Sequence, residues 1–309
     1  MSISRAPRVG RLLTAMVTPF NRKDHVDLPE AARLARFLIA QGNDGVVVSG
    51  TTGESPALED VEKLDLFRAC KEALGTSGSV VAGTGGNNTH HSVEFSKAAE
   101  ACGADAILAV VPYYNKPTQD GMLRHFGAIA EATPLPVIVY NIPGRTGANM
   151  LPATLLELAK RHANIAGVKE SSADFAQFSE ILRDRPDGFG FWCGDDHLFM
   201  PSLGIGGDGL ISVAAHLCGR ELREMLDAYD AGNVTRAAAI HLALSELFAA
   251  LFATTSPIPV KWALTELGFA CGPCRSPLGA MPAALEERLR PLLAPYRERA
   301  RAAGLAAVS

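Results

Sequence analysis

Short apolar runs rich in valine, isoleucine and alanine recur along this chain, separated by longer stretches in which apolar positions return every three or four residues. The runs are Leu12 to Val17, Gly45 to Ser49, Ser79 to Gly83, Ala106 to Val111, Pro136 to Asn141, Ile165 to Glu170, Phe189 to Cys193 and Gly209 to Val213. Their length and β-branched content predict strands. Between them, segments such as "LPEAARLARFLIAQG", with Ala31, Leu34, Phe37 and Leu38 on one stripe, and "NNTHHSVEFSKAAEACG", with Val93 and Phe95, predict helices. Asp27, three residues ahead of Glu30 and followed by Pro29, reads as a capping box, and Gly42 and Gly103 fall where helices should stop. Strands that are apolar throughout, alternating with helices, imply a parallel sheet covered on its outer face. Eight such units predict an α/β fold closed into a (β/α)8 TIM barrel.

After about Ala231 the alternation stops. "NVTRAAAIHLALSELFAALFATTS", "PVKWALTELGF" and "PAALEERLRPLLAPY" are helical patterns with no strand between them. The expected organisation is therefore a barrel over 1–230 carrying the chemistry, and a C-terminal helical appendix over 231–309 packed on it. With 309 residues, 48% hydrophobic and 20% charged, the chain has ample material for a core, which argues against disorder. A net charge of -4 offers no basic footprint for nucleic acid and no polybasic membrane patch, so small molecules are the expected partners. The N-terminal "MSISRAPRVGRLL" lacks a continuous apolar core of a signal peptide, and no uninterrupted apolar run looks long enough to span a bilayer. A cytoplasmic address follows as an expectation. Six scattered cysteines in a chain this large read as reduced structural thiols.

In a barrel of this kind the chemistry gathers where strands end and loops begin. Strand 2 runs into "GTTGES", strand 4 into "PYYNKPTQDG", strand 5 into "YNIPGRTG", strand 6 into "KES", strand 7 into "GDD", and strand 8 ends in "ISV". Lys169 is the conspicuous residue there. A lysine amine is a poor nucleophile while protonated, and an apolar strand end disfavours the ammonium, the setting in which lysines form Schiff bases with carbonyl substrates. The alternative is a core lysine paired with Glu170. Adjacent strand residues face opposite ways, however, so the two should not meet. Tyr140, at the end of the neighbouring strand, could move protons, or be a core tyrosine with its hydroxyl satisfied by backbone. Thr51 and Thr52, in the "TTG" turn, offer hydroxyls and backbone N–H groups as a cradle for a carboxylate, and Arg145 offers a planar fork for a second one.

Other signals carry less. "CGPC", Cys271 to Cys274, has redox spacing but sits in the helical appendix, and no second ligand pair lies nearby to make it a zinc site. "GIGGDG", Gly204 to Gly209, has dinucleotide-fingerprint glycines but precedes a strand instead of following one. His90, His91, His125 and His197 never reach a metal-ligand spacing, which disfavours a metal-dependent hydrolase.

Taken together, "GTTGESPAL", "AGTGGNNT", "PYYNKPTQDGMLRHFGAIAEATPLPVIVYNIPGRTG", "GVKES", "CGDD", "GGDGLISV" and "PIPVKWALTELG" resemble the dihydrodipicolinate synthase family of pyruvate-dependent class I aldolases, from about Leu13 to the last helix. The resemblance implies condensation of pyruvate with aspartate semialdehyde on the way to diaminopimelate and lysine, with no metal or organic cofactor. It implies that Lys169 forms the pyruvate Schiff base, and that Tyr140, Thr51 and Tyr114 relay protons, Tyr114 reaching into a neighbouring subunit. Thr52 and Ile211 match positions that hold pyruvate, and Arg145 the position that engages the aldehyde's carboxylate. A homotetramer built from tight dimers is the implied assembly. Sister aldolases such as N-acetylneuraminate lyase share the lysine and tyrosine, although "GRTG" favours the synthase. A catalytically silent barrel acting as a binding protein would be expected to have lost Lys169 or Tyr140. His216 and Ser256 depart from the asparagines usual at their positions.

Overall fold

The computed structural model describes residues 9–302. Residues 1–8, and with them most of the stretch read for a signal peptide, lie outside the described residues. Strands form at all eight apolar runs: β1 (Leu12–Ala15), β2 (Gly45–Val48), β3 (Ser79–Gly83), β4 (Ala106–Val110), β5 (Val137–Asn141), β6 (Ile165–Glu170), β7 (Gly190–Cys193) and β8 (Gly209–Ser212). Each lies within two residues of its predicted bounds. Their hydrogen-bonded order is that of a closed barrel, β1 through β8 in sequence. By contact density the chain forms two compact units, one built on Ser79–Ile211, the other on Leu12–Gly78 and the chain from Ser212 onward.

The first unit carries β3 to β7 and β8 as far as Ile211. Its strands pair in parallel register, with Val81 opposite Ala106, Val110 opposite Tyr140, Lys169 opposite Trp192 and Trp192 opposite Gly209. Valines and isoleucines fill these strands because both faces are covered, so no polar face is needed. The helix Thr89–Ala101 starts at Asn88, whose side chain accepts from the His91 N–H, and is followed by Gly103 in the left-handed conformation. His125 is buried: its Nδ1 meets Thr89 Oγ1 at 2.9 Å, and its Nε2 has no hydrogen-bond partner among the described residues.

The second unit pairs β1 with β2, Thr14 opposite Val46. Asp27 caps the helix Leu28–Ala40 by accepting from the Glu30 N–H at 3.0 Å. The expected capping box is only half made. Glu30 instead grips the Arg33 guanidinium with both oxygens and accepts from the Ala270 N–H at 2.6 Å, because Arg33 lies one turn along the same face and offers a charge-assisted pair. From Ala215 onward the described residues are helical or irregular. The helix Val234–Leu251 is no uninterrupted apolar run, being broken by Arg236, His241 and Glu246, yet by overall length and composition it could cross a membrane. Alanine and leucine dilute its few charges, but Ala237, Ile240, Leu244, Leu247 and Leu251 recur at helical spacing and are buried. The helix packs against the helices Ala215–Asp230, Ile258–Glu266 and Ala283–Leu289, while Leu242 on another face stays exposed, as expected of an amphipathic helix.

His216 closes a bond to β1 within this unit. Its Nε2 accepts from the Val17 N–H at 3.1 Å and its Nδ1 lies 2.8 Å from Val213 O, which defines a neutral ring. Burial lowers its pKa to about 4, and burial lowers that of His125 to about 4 as well. Both rings ionise near 6.5 in an unfolded chain. Between pH 6.5 and 4 the unfolded state therefore binds more protons, and stability, full above pH 6.5, falls with acidification. Each fully expressed shift corresponds to roughly 3 kcal/mol. Urea midpoints are expected to drop between pH 7.5 and 5, and to drop less in His216→Asn, whose amide can keep the bond to Val17 without titrating. An equal drop in the variant would remove His216 from the explanation.

Candidate active site

The register that zips β5 to β6 puts Tyr140 opposite Lys169 and Asn141 opposite Glu170. Pleat alternation then separates the two charges of "KES". Lys169 is 6% exposed, and its Nζ lies 4.2 Å from the centroid of the Tyr140 ring, itself 5% exposed. Among the described residues no carboxylate pairs with this ammonium. Glu170 turns the other way and is fully buried. Its carboxylate accepts from Asn141 Nδ2 at 3.1 Å, from Gln177 Nε2 at 3.1 Å and from the Ser172 N–H at 2.8 Å. Asn149 closes the ring, accepting from Asn141 and donating to Gln177 Oε1, both at 2.8 Å. Burial raises the Glu170 pKa, while the donors from Asn141, Ser172 and Gln177 pull it back. The expectation that Lys169 and Glu170 avoid each other is met: Glu170 ties the ends of β5 and β6 to the loops beyond them and leaves Lys169 unneutralised.

Gly194 follows β7, its N–H donating to Glu170 O at 2.9 Å. A methyl on it would stand 1.9 Å from Ser171 Oγ, 3.0 Å from Lys169 Cε and 3.2 Å from Lys169 Cγ. Ser171 shares the Lys169 side of the strand, and its buried hydroxyl has no hydrogen-bond partner among the described residues. A missing side chain at Gly194 thus leaves the room that the lysine stem occupies.

The remaining predicted residues are placed differently. Arg145 sits in the single turn Pro143–Thr146 directly after β5 and is exposed. Tyr114 stands 89% exposed on a left-handed backbone (φ 70°), its N–H reaching Thr146 O at 3.4 Å. Its ring is in solvent, apart from the buried Lys169 and Tyr140. Ile211, in β8, is fully buried. Thr51 and Thr52 belong to the second unit, in the turn after β2, where Thr52 is buried and the Glu54 N–H returns to Thr51 O at 3.1 Å. In the same unit the "CGPC" thiols are free; burial pushes Cys271 up to about 12 and Cys274 up to about 11, which leaves them poorly nucleophilic. No three His, Cys, Asp or Glu side chains among the described residues gather as a metal site.

Sequence reasoning missed Gly194, the ring around Glu170, and a buried pair of Glu54 with Lys261 whose side chains are each 1% exposed. The last had a signal, since Lys261 interrupts an otherwise apolar helix start.

Closed barrel and strand-end pair define the class: an α/β-barrel protein with a buried amine beside a phenol on adjacent parallel strands. Residues 8–294 match the model of the dihydrodipicolinate synthetase family. The 4-hydroxy-tetrahydrodipicolinate synthase of Symbiobacterium thermophilum is 52% identical over 288 residues, covering 93% of this chain and 98% of its own. Among solved structures, the dihydrodipicolinate synthase of Cyanidioschyzon merolae with lysine bound superposes with a TM-score of 0.91 at 44% identity, covering 96% of this chain and 99% of that one. A monomeric dihydrodipicolinate synthase variant matches with a TM-score of 0.89 at 37% identity, covering 96% and 97%. The chain belongs to the dihydrodipicolinate synthetase family.

Proposed function

We infer that this chain is a lyase that condenses pyruvate with aspartate semialdehyde to 4-hydroxy-tetrahydrodipicolinate, the entry to diaminopimelate and lysine. The Lys169 amine adds to the pyruvate ketone, and loss of water leaves a protonated imine. That imine is an electron sink, so the pyruvate methyl gives up a proton and the resulting enamine attacks the aldehyde carbon; the amine of the aspartate semialdehyde part then adds to the imine carbon, closing the ring and releasing the Lys169 amine. Tyr140, touching the amine, is the group suited to carry protons in these steps. Thr51 and Tyr114 extend the relay, Thr52 and Ile211 hold pyruvate, and Arg145 takes the aldehyde's carboxylate, its exposure fitting a group that meets substrate arriving from water. Tyr114, too exposed to serve its own buried lysine, serves a neighbouring subunit in an assembly of tight dimers, up to a tetramer.

The observation that supports this reading most is the buried Lys169 ammonium, without a counter-ion among the described residues, over the Tyr140 ring. Its test is borohydride reduction with pyruvate, which is expected to add one pyruvate-derived mass to the peptide containing Lys169. A panel of aldehydes then separates this activity from a sugar-acid aldolase. Labelling of a different lysine, or preference for a sugar aldehyde, would overturn the corresponding half of the reading.

A further inference from the structure

The turn that carries Thr51 and Thr52 ends in Glu54, a charged residue held in the left-handed conformation (φ 57°) and buried. Both of its carboxylate oxygens are taken by residues far along the chain within the same unit. Lys261 Nζ reaches Oε1 at 2.6 Å, and the Arg275 N–H reaches Oε2 at 2.8 Å. Lys261 also donates to Pro273 O at 3.0 Å and lies 4.0 Å from the Phe20 ring centroid. Arg275 clamps the flank, its Nη1 bonding Ala57 O at 2.8 Å and its guanidinium gripping both oxygens of Glu62 at 2.7 Å. The Cys271–Cys274 segment is the strap between these anchors. Cys271 O accepts from the Phe20 N–H at 2.9 Å, and Gly272, with φ 66°, passes so close that a Cβ would stand 2.3 Å from Phe20 O.

A buried ion pair is a weak device for stability, because desolvation offsets the attraction, whereas removing one partner strands a charge. In some proteins such a pair instead fixes one arrangement. Here the Lys261 ammonium and the Arg275 backbone N–H converge on Glu54, a left-handed residue two positions after Thr52, and the Thr18 hydroxyl holds Gly53 O at 2.7 Å from the other side. We propose that the Lys261–Glu54 pair, braced by the "CGPCR" strap, is a positioning device that sets the Thr51–Thr52 turn for pyruvate capture. This rests on the carboxylate-holding role given to that turn above. It also assigns the "CGPC" motif a backbone function in place of a redox one.

The test compares Lys261→Met, Glu54→Gln and the double variant, reading melting temperature, pyruvate KM and kcat, and amide hydrogen exchange over residues 50–55. Each single variant strands a buried group and is expected to melt lower and to raise pyruvate KM about tenfold or more. The double variant, with no orphaned charge, regains most of the melting temperature, yet keeps pyruvate KM at least about fivefold high and exchanges faster over the turn. Where a single variant does not fold, the double variant decides. Recovery of wild-type KM and exchange together with stability would overturn the proposal and leave the pair a purely structural contact. Failure of the wild-type protein to form a pyruvate adduct would instead indict the catalytic reading, with the exchange result still deciding whether the pair holds the turn.

Discussion

Lys169→Ala is expected to leave no borohydride-trapped pyruvate adduct and to lower kcat/KM by on the order of 10⁴-fold or more, the scale seen when a covalent nucleophile is removed. The residue contributes little that a fold would miss. It is paired with no carboxylate among the described residues, and its contact with the Tyr140 ring, at 4.2 Å, is a cation–π interaction worth about 1 to 2 kcal/mol when shielded from water. Melting temperature should therefore shift by only a few degrees. Lys169→Arg sharpens the experiment, because it keeps a cation on a long stem but offers no amine able to form an imine under these conditions. If Lys169→Arg retained an adduct, or Lys169→Ala retained turnover, the nucleophile would be another residue.

Gly194→Ala is expected to slow imine formation, because its methyl meets the Lys169 stem. Gly194 does not need glycine for its backbone, since it is absent from the positive-φ residues. It needs glycine for space: the methyl would lie 1.9 Å from Ser171 Oγ and 3.0 Å from Lys169 Cε. Ser171 can turn or shift, and the lysine stem must then move as well, which displaces the amine from its place over the Tyr140 ring. A displacement of about 1 Å at a reacting group costs about 100-fold, so imine formation is expected to slow by about 10- to 100-fold. Adding Ser171→Ala removes the shorter overlap and leaves the one with Lys169. The double variant should thus recover stability more than rate. Imine formation at the wild-type rate in Gly194→Ala would show that the lysine stem has room that the static structure does not reveal.

The strap around Lys261 and the opening left by Gly194 act in the same way on different units. In each, a residue that touches no substrate determines where a proposed functional group stands. Glu170 belongs with them, because its donors from Asn141, Gln177 and Ser172 fasten the ends of β5 and β6. These three features connect packing to chemistry, and each can be removed without deleting a reacting group.

By itself the sequence determined the eight strands, the helices between them, the cap at Asp27, and the placement of Lys169 and Tyr140 at strand ends. Those features depend on residues a few positions apart, whose spacing alone reveals which face is apolar. It also determined that Lys169 and Glu170 face opposite ways, a property of the pleat. The tertiary structure decided what the charges do. The spacing assigns Glu30 to a capping box, whereas the packed structure makes it the partner of Arg33 and Ala270. The helix Val234–Leu251 is apolar enough for a bilayer, and only the structure shows that one stripe of it is buried and that it packs against three other helices. Glu54 finds its cation 207 residues away. A buried charge must be paired, but neither periodicity nor composition says by whom, since the partner is chosen by which distant segments the packed core brings within hydrogen-bond reach.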